Sequence, residues 1–596
     1  MKLLSNGHMT FNDYLMMYFA KWKRFAFLLL LIWIVVTYLV ISPLRCSSST
    51  DEAQEFQDRL RRVSAQLETL KRQHNNLIAQ IKQSGLALSL ISSRRERALA
   101  SAMAGNLKDV DPSLFLDSQG PSEEYENLRR RIYTNTKELW NFFSHEVGKV
   151  LYDEVKLEKI QAIVDQMAER KRSLLSDQQK LPELDGYQEW RRREAANVSD
   201  LVQRRLRHLQ NPPDCAEARK VVCNLNKGCG FGCQLHNIVY CLIFAYATER
   251  TLVLNSRGWR YNAKGWEYVF LPISDSCTSV GGDKVMPWPV TYDAKVVSLP
   301  FIDSISQKPK FLPLAVPKDL AHRIVRFNGD PASWWVGQVL RYVLRPAPAL
   351  QRDLNDTIAK MGFRNPIVGV HVRRTDKVGT EAAFHHIQEY MKHVKDYYDT
   401  RELTHGPAPR RVYLASDDAS VIEDARAKYP AYTFVGDPAI ARAAATHRRY
   451  SPRALAGLLV DLGLLARADY LVCTFSSQVG RVAYELMQGN RMDASEDYAS
   501  LDDIYYFGGQ NAHDRAAVMP HEPIGGQDIA FKTGDLIGVA GNHWNGFGRG
   551  TNKRTNMNGL IPWFKTADHL VLYPFPEYKE VPLYADTRQN NAQEQD

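Results

Sequence analysis

Three groups of polar residues follow short apolar runs and have side chains suited to a phosphorylated ligand. They are His371 with Arg373 to Lys377, Ser416 to Asp418, and Thr474 with Ser476 to Gln478. Paired arginines present forked donors to phosphate oxygens, and a serine turn that opens a helix adds backbone N–H groups. Asp417 and Asp418 can accept hydrogen bonds from a base edge or from ribose hydroxyls. Each group alone is as typical of a solvated face or a helix cap, but together they indicate a nucleotide-phosphate site.

A metal-assisted version of this site is not supported by the sequence. There is no Walker A loop and no G-x-G-x-x-G, and the one D-x-D, Asp109-Val110-Asp111, is far from the three groups. Positive side chains would then take the place of the cation that often holds a diphosphate. We expect neither a metal ion nor a bound cofactor.

Strands that alternate with helices must position these groups. The apolar runs at 251–254, 367–372, 412–415 and 470–473 are predicted strands, and residues 235–248 are a predicted helix. This order indicates an α/β catalytic domain with a parallel sheet, over residues 211–505. Ligands of such sheets bind beyond the carboxyl ends of the strands, where the three groups lie.

Six cysteines lie close together in the first part of this domain: Cys215, Cys223, Cys229, Cys233, Cys241 and Cys277. Six cysteines allow three disulfides, and Cys46 and Cys473 lie apart from them. Zinc is the alternative, because Cys229 and Cys233 have metal-ligand spacing and His236 is near. No second tight Cys/His pair closes a tetrahedral site, so we favour disulfides and an oxidising compartment.

Residues 25–41 form an uncharged apolar run long enough to cross a bilayer as a helix. Basic residues before the run place tail 1–24 in the cytosol, and no small-residue cleavage site follows the run. The alternative is a buried core helix. We expect a single-pass signal anchor with a lumenal catalytic domain, and the glycosylation sequons at Asn197 and Asn355 are consistent with that compartment.

The segment 42–210 is charged, poor in glycine and proline, and periodic. Apolar residues fit one heptad pattern from Leu60 to Ile81 and a second run from Leu128 to Met167. The pattern predicts a helical stem of two long helices whose apolar seams need a partner. An intrachain hairpin would satisfy them, but we favour a homodimer, formed through the stem helices and the C-terminal domain at 506–575, because membrane anchoring already holds neighbouring stems parallel.

The composition of the 596-residue chain excludes several classes of protein. Hydrophobic residues make up 44% and charged residues 24%, which excludes a disordered chain or a polytopic membrane protein. A net charge of +9 fits an anionic ligand but is too small for a nucleic-acid-binding protein. Residues 506–575 resemble an SH3-like β-barrel, with a strand around 528–537, His543-Trp544 at the usual tryptophan position and a G-x-x-P turn at 559–562; residues 576–596 form a tail.

Four motifs together resemble the animal alpha-1,6-fucosyltransferase family, which makes core-fucosylated N-glycans. They are GVHVRRTDKVGTEAAFH at 369–385, RVYLASDD at 411–418, ADYLVCTFSSQV at 468–479 and LDDIYYFGGQNAH at 501–513. The resemblance covers essentially the whole chain. It implies a GT-B-like, Rossmann-type body between a stem and an SH3-like domain, in the Golgi membrane, that transfers L-fucose from GDP-fucose to the 6-hydroxyl of the Asn-linked GlcNAc of glycoproteins with inversion and without metal.

The resemblance also implies roles for individual residues. Glu381 would be the catalytic base, with Lys377 and Arg373 beside it. Donor-binding residues would be Arg373, Arg374, His371, Asp417, Asp418, Asp461, Ser477 and Tyr390. Glu381, Asp503 and His543 would contact the acceptor. Gly480 stands where the family usually has a cysteine, so Cys473 is expected to lack its partner.

Two other functions fit parts of the sequence. A fucosyltransferase that acts on a different hydroxyl would keep the arginine motif, but it is not expected to have both the stem and the SH3-like domain. A membrane-anchored adaptor could use the SH3-like domain without catalysis, but this function would leave the three polar strand ends without a purpose.

Overall fold

The computed structural model describes residues 120–150, 157–289, 293–305, 308–379, 382–508, 513–523 and 526–584. All of them belong to one compact unit. The predicted cytosolic tail, membrane span and first stem heptads lie outside the described residues, as does the end of the chain after residue 584. Within the described ranges, no helix is long and apolar enough to cross a membrane.

Three long helices begin the described chain: α1 (Glu123–Val150), α2 (Leu157–Leu184) and α3 (Gln188–Gln210). The second predicted stem helix is therefore divided into α1 and α2, which pack antiparallel. Part of the apolar seam stays open, since Leu128, Leu139 and Ile163 are more than half exposed. The face of α3 that includes Val198 and Leu201 is instead buried in the main core.

The first half of the catalytic region is built on a four-stranded parallel sheet. Its strands are β1 (Lys220–Asn224), β2 (Thr251–Asn255), β3 (Val285–Pro287) and β4 (Val296–Ser298), in the order β2-β1-β4-β3. Between β1 and β2 runs α4 (Phe231–Ala247), a largely apolar helix that is buried on nearly every side. The elements that follow this sheet are β5 (Ala315–Pro317), α5 (Lys318–Ile324), α6 (Pro331–Val343) and α7 (Pro348–Met361).

A second, five-stranded parallel sheet has the order β10-β9-β6-β7-β8. Its elements are β6 (Val368–Val372), α8 (Ile387–His405), β7 (Arg411–Ser416), α9 (Ser420–Lys428), β8 (Thr433–Val435), α10 (Pro438–Ala444), α11 (Pro452–Leu465), β9 (Tyr470–Cys473), α12 (Gln478–Asn490) and β10 (Tyr498–Ser500). The four predicted strands are confirmed. They do not form one sheet, however, because the strand at 251–254 belongs to the first sheet and the other three belong to the second.

The C-terminal region is an antiparallel sheet of order β14-β13-β12-β11-β15. Its strands are β11 (His513–Ala517), β12 (Leu536–Asn542), β13 (Phe547–Asn552), β14 (Asn558–Pro562) and β15 (Thr566–Asp568). The strand predicted around 528–537 begins only at Leu536, because Gly534 has a positive φ and Asp535 accepts the Lys532 N–H in a turn. The predicted turn at 559–562 is the strand β14.

After this sheet the chain returns to the first half. β16 (Val571–Tyr573) pairs in parallel with β5, and Phe575, Tyr578 and Val581 are buried in the main core. The Tyr578 hydroxyl donates a 2.8 Å hydrogen bond to the carbonyl oxygen of Tyr246 in α4. Residues 576–584, the described part of the predicted tail, therefore pack against the catalytic region.

All six clustered cysteines form disulfides: Cys215 with Cys277, Cys223 with Cys241, and Cys229 with Cys233. The prediction of three bridges is confirmed, and their sulfurs are not available to zinc. No group of three His, Cys, Asp or Glu residues within the described part of the chain could hold a metal ion. Cys473 is free and buried, as expected.

Candidate active site

The arginine turn directly follows the central strand β6. Arg373 donates to Asp376 Oδ1 at 2.6 Å and to the Thr375 hydroxyl at 2.9 Å. Thr375 has a φ of +54°, a left-handed conformation that is uncommon for a threonine. Its hydroxyl donates to Asp417, which also accepts the Arg374 N–H at 2.8 Å and forms an ion pair with Arg373. The end of β7 thus fixes the backbone of the turn that carries both arginines.

A third arginine reaches the same turn from the segment before α11. Arg449 donates to both oxygens of Asp376, at 3.0 and 3.3 Å. Burial alone would raise the pKa of Asp376, but the hydrogen bond from Arg449 and the charge of Arg373 hold this pKa well below its usual range. Two guanidinium groups therefore lie side by side on one ionised carboxylate, an arrangement suited to an anionic ligand. Arg449 was not among the predicted site residues, although it belongs to the basic cluster His447-Arg448-Arg449.

Two helix N-termini, one from each half of the catalytic region, lie next to each other, and α12 begins at the same sheet edge as the arginine turn because β9 pairs in parallel with β6. Ser477 caps α12, and Gly230 caps α4 inside the loop closed by the Cys229–Cys233 disulfide. The two ends are nearly in contact, because a Cβ placed on Gly232 would lie only 3.0 Å from the Cβ of Gln478. Unpaired N–H groups and the positive end of the helix dipole favour phosphate at such ends.

Asp502 holds the turn between β9 and α12 in place. Its Oδ1 accepts the N–H groups of Phe475, at 2.8 Å, and Ser476, at 3.4 Å. Asp502 was not among the predicted site residues, and the neighbouring Asp503 was predicted instead. The available signal for Asp502 was its place in the LDDIYYFGG motif.

Several buried polar atoms around the turn lack a hydrogen-bond partner among the described residues. They are His371 Nδ1, Arg374 Nε, Arg449 Nε and Asp502 Oδ2. A buried unpaired polar group costs free energy, so these atoms mark positions where a polar ligand would restore hydrogen bonds. Burial, followed by the charge of Arg373, lowers the pKa of His371 to about 3, so this histidine is neutral at physiological pH.

The other predicted donor residues have different surroundings. Asp461 lies in α11 and accepts a 2.6 Å hydrogen bond from the Tyr413 hydroxyl, and burial raises its pKa to about 7. Asp418 accepts the N–H of Ser420 at 3.0 Å, just before α9, and its other oxygen lies 3.5 Å from the Arg374 guanidinium. Tyr390 is buried in the apolar core behind β6, where burial raises its pKa. Their assignment to donor binding stays a prediction.

The predicted catalytic and acceptor residues are only partly described. Glu381 lies outside the described residues, and the side chain of Lys377 is likewise not described. Asp503 lies where the catalytic region meets the C-terminal sheet, since a Cβ on Gly541 would lie 3.1 Å from its Oδ1. His543 is exposed two residues beyond Gly541. The structure thus brings Asp503 close to the loop that carries His543.

Residues 15–506 match the family model of alpha-(1,6)-fucosyltransferase N- and catalytic domains. The chain belongs to this family. A relative called alpha-(1,6)-fucosyltransferase from Drosophila melanogaster is 47% identical over 612 aligned residues, which cover 95% of this chain and 98% of the relative. One of the same name from Caenorhabditis elegans is 41% identical over 403 residues, covering 66% of this chain and 72% of the relative.

Membership of the alpha-(1,6)-fucosyltransferase family confirms the expected enzyme class, transfer of fucose from GDP-fucose. Solved structures are more distant. NodZ alpha-1,6-fucosyltransferase soaked with GDP-fucose is 18% identical, with a TM-score of 0.27, over 45% of this chain and 92% of that chain. POFUT1 in complex with GDP is 14% identical, with a TM-score of 0.30, over 46% of this chain and 98% of that chain.

Two residues have surroundings unlike those their motifs suggested. His236, considered as a zinc ligand, is bonded to Glu485 and Gln478 of α12. Asn197, one of the two sequon residues, is half-buried in α3, and the Ser199 hydroxyl of that sequon accepts a 2.7 Å hydrogen bond from Arg341. Asn355 is exposed in α7. The structure therefore separates the two sequons by exposure.

Proposed function

We propose that this chain transfers L-fucose from GDP-β-L-fucose to the 6-hydroxyl of the Asn-linked GlcNAc of glycoproteins. The acceptor oxygen attacks the anomeric carbon from the face opposite the diphosphate. The bond from that carbon to the β-phosphate oxygen breaks, and its electron pair leaves with GDP. The acceptor proton passes to a base, and the anomeric centre is inverted.

The observation that carries the proposal is the meeting of Arg373 and Arg449 on Asp376, at the sheet edge where α12 begins. The N-terminus of α4 lies against that of α12. Negative charge builds up on the leaving diphosphate in the transition state. Fixed guanidinium groups and helix N–H groups stabilise that charge without reorganisation during the reaction. These groups would do the work that a divalent cation does in other transferases, so the proposed reaction needs no metal.

We assign general-base catalysis to Glu381, by its place in the family motif. Lys377 would steer the leaving phosphate or orient Glu381, and Arg373 would hold the diphosphate. On the acceptor side, Asp503 and the exposed His543 flank the junction of the catalytic region and the C-terminal sheet. This junction would receive the glycan, whose hydroxyls suit carboxylate and imidazole partners.

The proposal includes the organisation and location of the whole chain. Two separate parallel sheets support a GT-B-like body, and the five-stranded antiparallel sheet supports an SH3-like domain. Disulfides favour an oxidising lumen. With residues 25–41 as a signal anchor, the enzyme would be a type II Golgi membrane protein that acts on glycoproteins in the lumen.

A homodimer is part of the same proposal. Leu128, Leu139 and Ile163 remain 56%, 66% and 54% exposed on α1 and α2, although they belong to the predicted apolar seam. Large apolar residues grouped on one helical face favour burial against a partner. A second copy fits best, because anchored chains lie side by side with parallel stems.

The deciding experiment incubates the full chain in detergent with GDP-fucose and an N-glycopeptide, with and without EDTA. We expect a product with one added fucose on the innermost GlcNAc, formed at the same rate with chelator present. Fucose on another sugar would contradict the proposed acceptor. Activity that is lost in EDTA and restored by manganese would contradict the metal-free mechanism. Binding of GDP without any transfer would favour the adaptor.

A further inference from the structure

A buried histidine joins the two halves of the catalytic region directly behind the candidate phosphate site. His236 lies in α4 and is 1% exposed. Its Nε2 lies 3.0 and 3.1 Å from the two carboxylate oxygens of Glu485, and its Nδ1 lies 3.2 Å from Oε1 of Gln478. Both partners belong to α12, so one imidazole connects the opening helix of the first half to the phosphate-facing helix of the second.

The segment 501–508 closes over this connection. The Tyr505 hydroxyl donates a 2.7 Å hydrogen bond to Glu485, and the Phe507 ring lies 4.9 Å from the imidazole. Gly508 approaches so closely that a Cβ there would lie 2.9 Å from His236 Nδ1. These contacts exclude water and leave the imidazole little freedom to rotate, so its two partners are held in fixed positions.

The spacing of the two partners determines what the connection controls. Gln478 and Glu485 are seven residues apart and lie on the same face of α12, about 10 Å apart along the helix axis. Hydrogen bonds from two residues that are two helical turns apart restrain both the rotation and the axial position of α12. Gln478 directly follows Ser477, the cap of α12, and packs against Gly232 of α4. The position of the α12 N-terminus relative to the α4 N-terminus therefore depends on His236.

We infer that His236 is a positioning residue for the donor diphosphate, acting through Gln478 and Glu485 without touching the substrate. The inference rests on the proposed function, because it takes the two helix N-termini as the diphosphate site. Helix N–H groups bind phosphate strongly only when they point at it, so a small displacement of α12 weakens diphosphate binding. The nucleoside is expected to bind to other groups, such as Asp418, and should keep those contacts.

The test compares GDP with guanosine as ligands of full-length His236→Ala and His236→Asn, by calorimetry. For His236→Ala we expect the Kd for GDP to rise about tenfold and the Kd for guanosine to stay within about twofold. We expect kcat at saturating GDP-fucose to fall as well, because the same N–H groups stabilise the charge on the leaving diphosphate. The asparagine amide can occupy the place of Nδ1 and keep the bond to Gln478. His236→Asn should therefore recover part of the GDP affinity.

The matched control is His521→Ala, which removes another buried histidine bonded to a carboxylate. His521 is 3% exposed and its Nε2 lies 2.8 Å from Asp528 in the C-terminal region. The His521→Ala variant should have a lower melting temperature than the wild type and an unchanged GDP affinity. If His236→Ala does not fold, His236→Asn and Gln478→Ala carry the test. The double variant His236→Asn/Gln478→Ala should lose less GDP affinity than the sum of the two single losses, because both changes remove the same contact.

Two results would overturn the inference. One is GDP affinity of the wild-type level in folded His236→Ala. The other is an equal loss of affinity for GDP and guanosine, which would mean general loosening of the fold. A wild-type chain that binds no GDP would instead contradict the proposed function, so the two failures can be told apart.

Discussion

The Tyr413 hydroxyl donates a 2.6 Å hydrogen bond to the carboxylate of Asp461, and this pair links β7 to α11 beneath the arginine turn. Burial raises the pKa of Asp461 to about 7, while the hydrogen bond from Tyr413 opposes part of that rise. Both residues are buried, so the protonation of Asp461 bears directly on the stability of the fold. Asp461 is also one of the predicted donor residues.

The raised pKa of Asp461 predicts a pH-dependent stability. In the unfolded chain an aspartate titrates near pH 4, so from about pH 4 to about pH 7 the folded chain keeps a proton that the unfolded chain has released. The contribution of Asp461 to stability therefore falls as the pH rises through this window. Asp461→Asn removes the titration, so its melting temperature relative to the wild type should increase between about pH 5 and about pH 8, by the equivalent of about 3 kcal/mol at most.

Thermal melts of the full chain without nucleotide, at several pH values, measure this difference. Asp200→Asn is the control, because Asp200 is an exposed carboxylate paired with Arg204 on the surface of α3. A melting difference between Asp461→Asn and the wild type that stays constant with pH would show that Asp461 does not titrate in this range.

Arg373→Lys tests whether the Arg373 guanidinium binds the diphosphate of the donor. Lysine keeps the charge but loses the planar fork that can bind two phosphate oxygens while it also faces Asp376. We expect the Kd for GDP to rise by about 10- to 100-fold, with the melting temperature nearly unchanged. Arg192→Lys, at an arginine whose side chain is 63% exposed on α3, should change neither quantity. Calorimetry that found unchanged GDP binding in Arg373→Lys would remove Arg373 from the donor site.

Glu381→Gln separates chemistry from binding. Glutamine keeps the shape and one acceptor oxygen but cannot take a proton at neutral pH, so transfer should fall by about 10² to 10⁴ while the Kd for GDP-fucose holds. Initial rates with varied donor and glycopeptide give kcat and both KM values. The control is Glu423→Gln, at an exposed residue of α9.

A different result is expected if the diphosphate or Asp376 accepts the proton. Glu381 would then only position the GlcNAc, and Glu381→Gln would keep most of its kcat and mainly raise the acceptor KM. A near-native kcat would thus exclude Glu381 as the base.

Gly480→Cys should create a disulfide with Cys473. A Cβ placed on Gly480 would lie 3.2 Å from the Cys473 sulfur and 3.3 Å from its Cβ, which is close to bridging geometry. The same Cβ would lie 2.9 Å from the Thr474 carbonyl oxygen, so Gly480→Ala should be destabilising by about 1 kcal/mol or more. The bridge should offset that loss in the cysteine variant under oxidising conditions.

Thiol labelling of the peptide that contains residue 473, with and without reductant, detects the bridge. Melting temperatures of the alanine and cysteine variants then give its effect on stability. If Cys473 remains fully labelled in the oxidised cysteine variant, the helix cannot shift enough to relieve the contact with Thr474.

Local features of the sequence were sufficient for much of the secondary structure. The strands at 251–255, 368–372, 411–416 and 470–473 formed where short apolar runs end in polar residues, because burial on both faces requires such runs in a parallel sheet. The arginine turn and the Ser477 turn came together as predicted, since the carboxyl ends of parallel strands meet at one edge. The strand predicted around 528–537 begins only at Leu536, because the turn at Gly534 outweighs the alternation of apolar and polar residues before it.

What the sequence alone determined is therefore local: the elements, the polar ends of the strands, and the family to which the motifs belong. The tertiary structure decided which cysteines pair, that Arg449 joins Arg373 on Asp376, and that His236 is bonded to residues about 240 positions away in the chain. Such contacts depend on how two sheets and their helices pack. Periodicity and spacing describe only neighbours along one element, so they hold no information about partners brought together by packing.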